Sequence, residues 1–510
     1  MPCSHPAASS EYADFIIRYF AFPQSLLSTI EEGCLSFINS QFAVVYRPVE
    51  ETLPITLNRY SYSSIPNLYT LLDASSMESS GILTSFSHPF LNTQGENTII
   101  GIIDTAGIDY RNPVFLGEDR STRILGIWDQ TIELNESGVS GERAGQLPED
   151  IFYGTAYTKE DIDRALASDS PLDIVPSTDE NGHGTFLAGI AAGRQELSGG
   201  EAFTGAAPRA FIAAVKLKPA KQYLRDYYVL PDSAEAYQEN DIMMGMKYLL
   251  SLARTKKLPL TILLALGTNL GSHEGTSPLA QYLDTISNFP GIITVTAAGN
   301  ETGYSHHFFG TIGTDEEFED AELRVAEGET GFTLELWSQE PELFSIGFLS
   351  PTGEQISRIP NNTLTEQRIT FVLENTVIYL NYQVAEAGTG SQLIVMRFVK
   401  PTPGIWRIRV YNSLYLRGEY HLWLPSKGFI SDDTFFLRPS PDTVVTEPGN
   451  APANLLSWSF REGSISYMNT SVAKTYLIRG ADRNPVFAYP NREWGYGTLN
   501  LYGAFLRLRE

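Results

Sequence analysis

Residues 98–103, T-I-I-G-I-I, form an unbroken apolar, largely β-branched run, the pattern of a strand buried on both faces of a sheet, and Asp104 is the first charge after it. Similar runs follow at 210–217 (A-F-I-A-A-V-K-L), 260–267 (L-T-I-L-L-A-L-G) and 292–298 (I-I-T-V-T-A-A), with a helical segment, N-D-I-M-M-G-M-K-Y-L-L-S-L-A, at 240–253. Strands alternating with helices predict an α/β fold: a parallel sheet with helices on both faces. From about 315 to 440 the period drops to two. E-L-R-V, F-T-L-E-L-W, F-S-I-G-F-L, R-I-T-F-V-L, T-V-I-Y-L-N-Y-Q-V, Q-L-I-V-M-R-F-V, I-W-R-I-R-V-Y and Y-H-L-W-L are short alternating runs split by turns such as S-P-T-G-E. They predict an inserted β-sandwich of jelly-roll type. Residues 12–75 mix strand-like D-F-I-I-R-Y-F and F-A-V-V-Y-R-P with helical P-Q-S-L-L-S-T-I-E-E-G, a compact α+β module joined to the core by a Ser-rich linker. The expected divisions are 1–95, 96–312, 313–440 and 441–510.

Chemistry concentrates where these elements end. Carboxyl ends of parallel strands are where open α/β sheets place ligands, and Gly107 can turn the chain so that Asp104 faces a cleft. D-T-A-G alone reads equally as a strand-end turn. His183 lies between two glycines and opens the small-residue segment G-T-F-L-A-G-I-A-A-G, whose Ala188, Gly189, Ala191 and Ala192 suit a helix packed tightly on a sheet. A carboxylate that holds the tautomer of a histidine is two thirds of a serine-nucleophile machine. Asn300, after the run G-I-I-T-V-T-A-A, reads by itself as a turn residue at a strand end.

Asp104 in I-I-D-T-A-G-I-D, His183 in N-G-H-G-T-F-L-A-G-I-A-A-G, the G-A-A-P at 205–208 and Asn300 in V-T-A-A-G-N-E resemble, in that order, the subtilisin-like serine proteases. The resemblance implies a subtilisin-like fold, triad roles for Asp104 and His183, an oxyanion role for Asn300, and a propeptide-like role for the N-terminal module. G-I-D-Y-R-N-P-V-F, T-R-I-L-G-I-W-D-Q-T-I, L-G-T-N-L-G-S-H-E-G and the tail Y-L-I-R-G-A-D-R…Y-P-N-R-E-W-G-Y-G-T-L-N are similar to the clostridial spore-germination proteases, the Csp group.

The family's Ser block, G-T-S-x-A at the start of a long buried helix after the Asn block, has no good counterpart. Gly275-Thr276-Ser277 precedes Asn300, and its hydroxyls read as a helix cap. Ser471, in N-T-S-V-A-K, lies late enough, but Asn469 replaces the close-approach glycine, Lys474 replaces a small residue, and four residues separate it from Y-L-I-R-G-A. L-L-S-W-S-F-R-E-G-S at 455–464 reads as the end of the family's nucleophile helix, with T-V-V-T-E-P-G-N running straight into it. The chain therefore reads first as a pseudoprotease that binds a protein or peptide. The alternatives are an active endopeptidase using Ser471 that processes a spore cortex-lytic proenzyme, and a binding role of the β-sandwich.

A net charge of −24 over 510 residues argues against nucleic acid and anionic membrane surfaces. No apolar stretch reaches the length of a membrane span, and M-P-C-S-H-P-A-A-S-S lacks the regions of a signal peptide, so an intracellular or spore-associated setting is expected. Cys3 and Cys34 alone make no disulfide framework. No cofactor and no metal are expected: His306-His307 are adjacent on a strand and face opposite ways, with no acidic spacing to complete a site. The tryptophans, Trp128, Trp337, Trp406, Trp423, Trp458 and Trp494, are expected in cores and at edges.

Overall fold

The computed structural model describes residues 6–19, 30, 34–71, 94–134, 144–194, 204–301, 303–361, 365–414, 417–440, 446–449, 470–490 and 495–508. The apolar runs become strands β5 (Ile99–Asp104), β8 (Phe211–Lys216), β10 (Leu260–Leu264) and β12 (Ile292–Thr296) of a six-stranded sheet. Its order is β12-β10-β5-β8-β6-β7, with β6 at Ile124–Asp129 and β7 at Thr155–Thr158. Every pair is parallel except β6 with β7, so the expected parallel sheet carries one antiparallel edge strand. All six residues of β5 are buried, as its lack of polar alternation requires. Helices close both faces. Glu239–Lys256 and Pro278–Ser287 contribute Met243, Met246, Leu249, Leu279 and Leu283 to one apolar cluster; His183–Ala192 contributes Ala188 and Ala192 to another.

Downstream of β12, two antiparallel sheets make up the β-rich insertion. One runs, in spatial order, His307–Thr311, Glu419–Trp423, Gly331–Ser338, Leu393–Val399, Val377–Gln383, Gln367–Thr370; the other runs Gln355–Ile359, Leu343–Leu349, Gly404–Leu414, Phe318–Val325, Phe435–Phe436. Side chains of both, including Phe332, Phe348, Phe398, Trp406 and Phe436, share one buried cluster. R-I-T-F-V-L departs from its expected form: the strand stops at Thr370, and Val372 and Leu373 sit exposed on a turn whose amides donate to Glu354. Trp128, Trp337, Trp406 and Trp423 are buried, while Trp458 and Trp494 lie outside the described residues.

In the N-terminal module β1 (Tyr12–Arg18), β3 (Phe42–Pro48) and β2 (Leu35–Phe37) form an antiparallel sheet in the order β1-β3-β2. Most of the expected P-Q-S-L-L-S-T-I-E-E-G helix and of the 75–97 linker lies outside the described residues. Cys34 is disulfide-bonded, a single link rather than a framework. The module docks on the core through a buried charge network. Lys221 Nζ donates to Asp14 Oδ1 at 2.5 Å, and Gln238 and Asn240 donate to Asp14 Oδ2. Close by, Lys218 Nζ meets Asp241 at 2.6 Å. Asp14 and Asp241 are essentially inaccessible, so each carboxylate depends on its lysine.

Candidate active site

β5 delivers Asp104, 1% exposed, to the carboxyl edge of the sheet. There Ala106 N–H donates to Asp104 Oδ1, and Gly107 at φ +77° reverses the chain. The histidine arrives from a capped helix start. Gly182 occupies the cap position at φ +81°; Asp179 accepts from Gly182 N–H at 2.8 Å and from Thr185 N–H at 2.9 Å, and Asn181 accepts from His183 N–H. These side chains satisfy amides that the first helical turn leaves without partners. Thr185 Oγ1 in turn accepts from Asp109 N–H, stitching the helix to the turn after β5.

The result is a contact of 2.7 Å between His183 Nδ1 and Asp104 Oδ2. With Asp104 Oδ2 accepting from Nδ1–H, Nε2 is left as the lone-pair nitrogen, the tautomer a general base requires. His183 is 18% exposed at its side chain, while Asp104 is shielded, so the pair is reachable from one side only. Gly184 is what lets the two elements approach: a Cβ there would stand 1.9 Å from the Gly107 carbonyl oxygen. Asp179 and Asn181 escaped the sequence reading, although D-E-N-G ahead of a small-residue helix is a capping signal.

Asn300 lies four residues beyond β12, exposed, on the same edge of the sheet. Ala297 N–H is bonded to Leu264 O, and Gly299, at φ +103°, packs against Thr446. Ser471 belongs to a later helix. It is exposed in the first turn of the Thr470–Gly480 helix, whose Thr470 is buried and accepts through Oγ1 from Thr294 N–H in the middle of β12. Ser277 caps the Pro278–Ser287 helix by accepting from Ala280 N–H. The segment L-L-S-W-S-F-R-E-G-S lies outside the described residues.

A strand of the N-terminal module borders this edge. β4 (Leu68–Leu71) pairs antiparallel with β11 (Leu266–Gly267) on one side and with β9 (Tyr237–Gln238) on the other. β11 continues β10, whose Leu264 is level with Ile103, the residue before Asp104, so β4 runs beside the carboxyl edge that carries Asp104.

His306, which precedes the strand His307–Thr311, and His307 take different partners. His307 Nε2 meets His421 Nδ1 at 2.9 Å and stacks on Trp423, while His306 Nδ1 meets Glu301 at 2.7 Å. Glu301 therefore engages His306 alone and completes no three-ligand group with His307. Among the described residues no group of three His, Cys, Asp or Glu side chains is arranged to hold a metal, and no helix is long and apolar enough to cross a membrane.

The profile of the Subtilase family matches residues 95–347. Over 134 residues, 24% of this chain, the sequence is 34% identical to subtilisin-like protease SBT2.2 of Arabidopsis thaliana, and the match spans 15% of that relative's length. The structure of the Clostridium perfringens CspB protease aligns with a TM-score of 0.66 at 24% identity, covering 85% of this chain and 97% of that one, a likeness of fold.

Proposed function

We propose, on the match of residues 95–347 to the Subtilase family model, that this chain is a catalytically silent subtilisin homologue that acts by binding a protein or peptide. Asp104 and His183 form the retained part of the triad, Asn300 is the oxyanion amide, and the N-terminal module is the propeptide-like partner. The mismatch between the surroundings of Ser471 and the family's Ser block carries the reading: Asn469 stands where a close-approach glycine is needed, Lys474 where a small residue is needed, and the neighbouring Thr470 is tied to Thr294 N–H of β12. A nucleophile must come within hydrogen-bond reach of its base.

β4 supports the other half of the proposal. An extended segment hydrogen-bonded beside the carboxyl edge that carries Asp104 occupies the place of a peptide in β-augmentation, where main-chain bonds supply affinity and side chains supply selection. The setting suggested by the resemblance to the Csp group is spore germination, with a germination protein or signal as the bound partner.

A fluorophosphonate probe reacts only with a serine activated by a neighbouring base, so it separates silence from activity. The full chain is expected to stay unlabelled, and Ser471→Ala to change nothing. Stoichiometric labelling that Ser471→Ala abolishes would overturn the proposal in favour of an active endopeptidase. Without a covalent nucleophile, any residual hydrolysis has only substrate binding and Asn300 behind it, a few orders of magnitude above water at most.

A further inference from the structure

The joint between β4 and the core is closed by a carboxyl group with no basic partner among the described residues. Glu239, wholly buried at the start of the Glu239–Lys256 helix, accepts from Asn67 N–H through Oε2 at 3.1 Å and from Leu279 N–H through Oε1 at 2.9 Å. Glu239 N–H in turn donates to Asn67 O, so the two residues grip each other through both backbones immediately before β4 begins. Asn67 Oδ1 also accepts from Tyr228 OH, and β9 ends next to Glu239, so both neighbours of this grip are tied to it.

The same joint holds two more buried carboxyls from other parts of the chain. Glu335 of the β-rich insertion accepts from Tyr62 OH of the N-terminal module, from Gly271 N–H and from Trp337 Nε1. Glu447, where the chain returns to the core, is bonded through its backbone to Thr268 and places its side chain against Gly271. Among the described residues, the ionisable groups facing this space are the three carboxyls and the phenols of Tyr62, Tyr69 and Tyr228, which burial keeps neutral by raising them well above their usual value. Neither lysine nor arginine is among the charges acting on Glu239 or Glu335.

We propose that the reciprocal grip of Glu239 on Asn67 is a proton-dependent clasp, closed when Glu239 is protonated, that holds β4 beside the carboxyl edge that carries Asp104 and loosens it as the carboxyl ionises. The sign follows from where the proton binds. Burial first, and then the charge of Glu447, push Glu239 up from 4.5 to about 8, while the amides of Leu279 and Asn67 pull the other way. With the joint open the group is an ordinary carboxyl. Between those two pH values the closed joint holds a proton that the open one has lost, so closure is favoured at the acid end and declines as pH rises through about 8. Glu335 shifts in the same direction, again chiefly by burial, and reinforces it.

The clasp rests on reading the Asp104 cleft as the site, but it is tested by strand protection, which needs no catalysis. A chain that labels with the probe and a chain that does not give the same exchange experiment. Amide hydrogen exchange at Leu68–Leu71 in the full chain, corrected for the intrinsic base-catalysed rate, is expected to lose protection by up to about tenfold per pH unit across the window from 4.5 to about 8. Glu239→Gln removes the titrating group and is expected to flatten that profile. A carboxamide offers one acceptor oxygen to two amides, so if this variant does not fold, Glu447→Gln decides. It keeps every Glu239 bond while removing the repelling charge, and is expected to move the midpoint to lower pH. A flat wild-type profile, a Glu239→Gln variant that keeps the wild-type slope, or an unmoved midpoint in Glu447→Gln overturns the clasp.

Discussion

Alanine at position 14 will weaken the attachment of the N-terminal module by about 3–5 kcal/mol, because removing one member of a buried ion pair leaves the other charged and desolvated. Lys221 is the residue left behind. Burial already drives its proton affinity down, the charge of Asp14 holds it up, and Lys218 lowers it further. Its ammonium also donates to the carbonyls of Pro6 and Tyr12, so the module's first strand loses its anchor together with the charge balance. In Asp14→Ala, limited proteolysis is expected to cut within residues 6–48 while the β-rich insertion stays intact, and urea unfolding is expected to split into two steps. Replacing both partners, Asp14→Leu with Lys221→Met, is expected to recover most of the loss, since apolar groups of similar volume carry no unpaid desolvation. A loss below about 1 kcal/mol in Asp14→Ala, the size of an exposed pair, would show that the network contributes little.

Gly184→Ala is expected to break the Asp104–His183 contact and to cost about 3 kcal/mol or more, the upper range for forcing atoms into a packed site. The added methyl would lie 1.9 Å from Gly107 O and 3.0 Å from Asp104 Oδ1. Gly107 O is backbone in a turn that already uses a left-handed conformation, so the helix must retreat, and His183 retreats with it. The check pairs a melting curve with the imidazole resonances of His183, which report whether Nδ1 still bonds a carboxylate. Gly189→Ala is the control on the same helix, because a Cβ there meets nothing within 4 Å. It should be neutral or stabilising by up to about 1 kcal/mol, the helix-propensity difference between the two residues. Equal melting points for the two variants would remove close approach as the reason for Gly184.

The dyad was legible because each half sits in a local pattern that needs no knowledge of the rest of the chain. An all-apolar strand ends in one acid, and a histidine opens a helix of small residues. The β-rich insertion was legible by its alternation for the same reason. What stayed hidden depends on contacts between distant segments. Asp14, in Y-A-D-F-I-I-R, reads as an ordinary polar position, and its lysine is 207 residues away. Glu335, in F-T-L-E-L-W, reads as facing water, yet every residue from Gly331 to Ser338 is buried because the N-terminal module covers the second face of that sheet through Tyr62. β4 escaped notice because L-Y-T-L is too short to declare itself without β11 and β9 on either side.

One apolar cluster draws Ala13, Phe15, Ile55 and Leu68 from the N-terminal module, Tyr223 and Tyr227 from the core, and Trp337, Leu393, Val395 and Trp423 from the insertion. Such a cluster sets a timetable for synthesis. Chains emerge at about 5–20 residues per second, so Phe15 leaves the ribosome roughly 20–80 s before Trp423 exists to cover it. During that interval the first sheet has a face with no final partner, and closing it joins segments at very long sequence separation, the slow kind of folding step. Folding of the N-terminal module is thus expected to be post-translational in timing even though it is synthesised first, and a nascent chain stalled before residue 393 should leave that module open to protease while β5 and β8 are already protected.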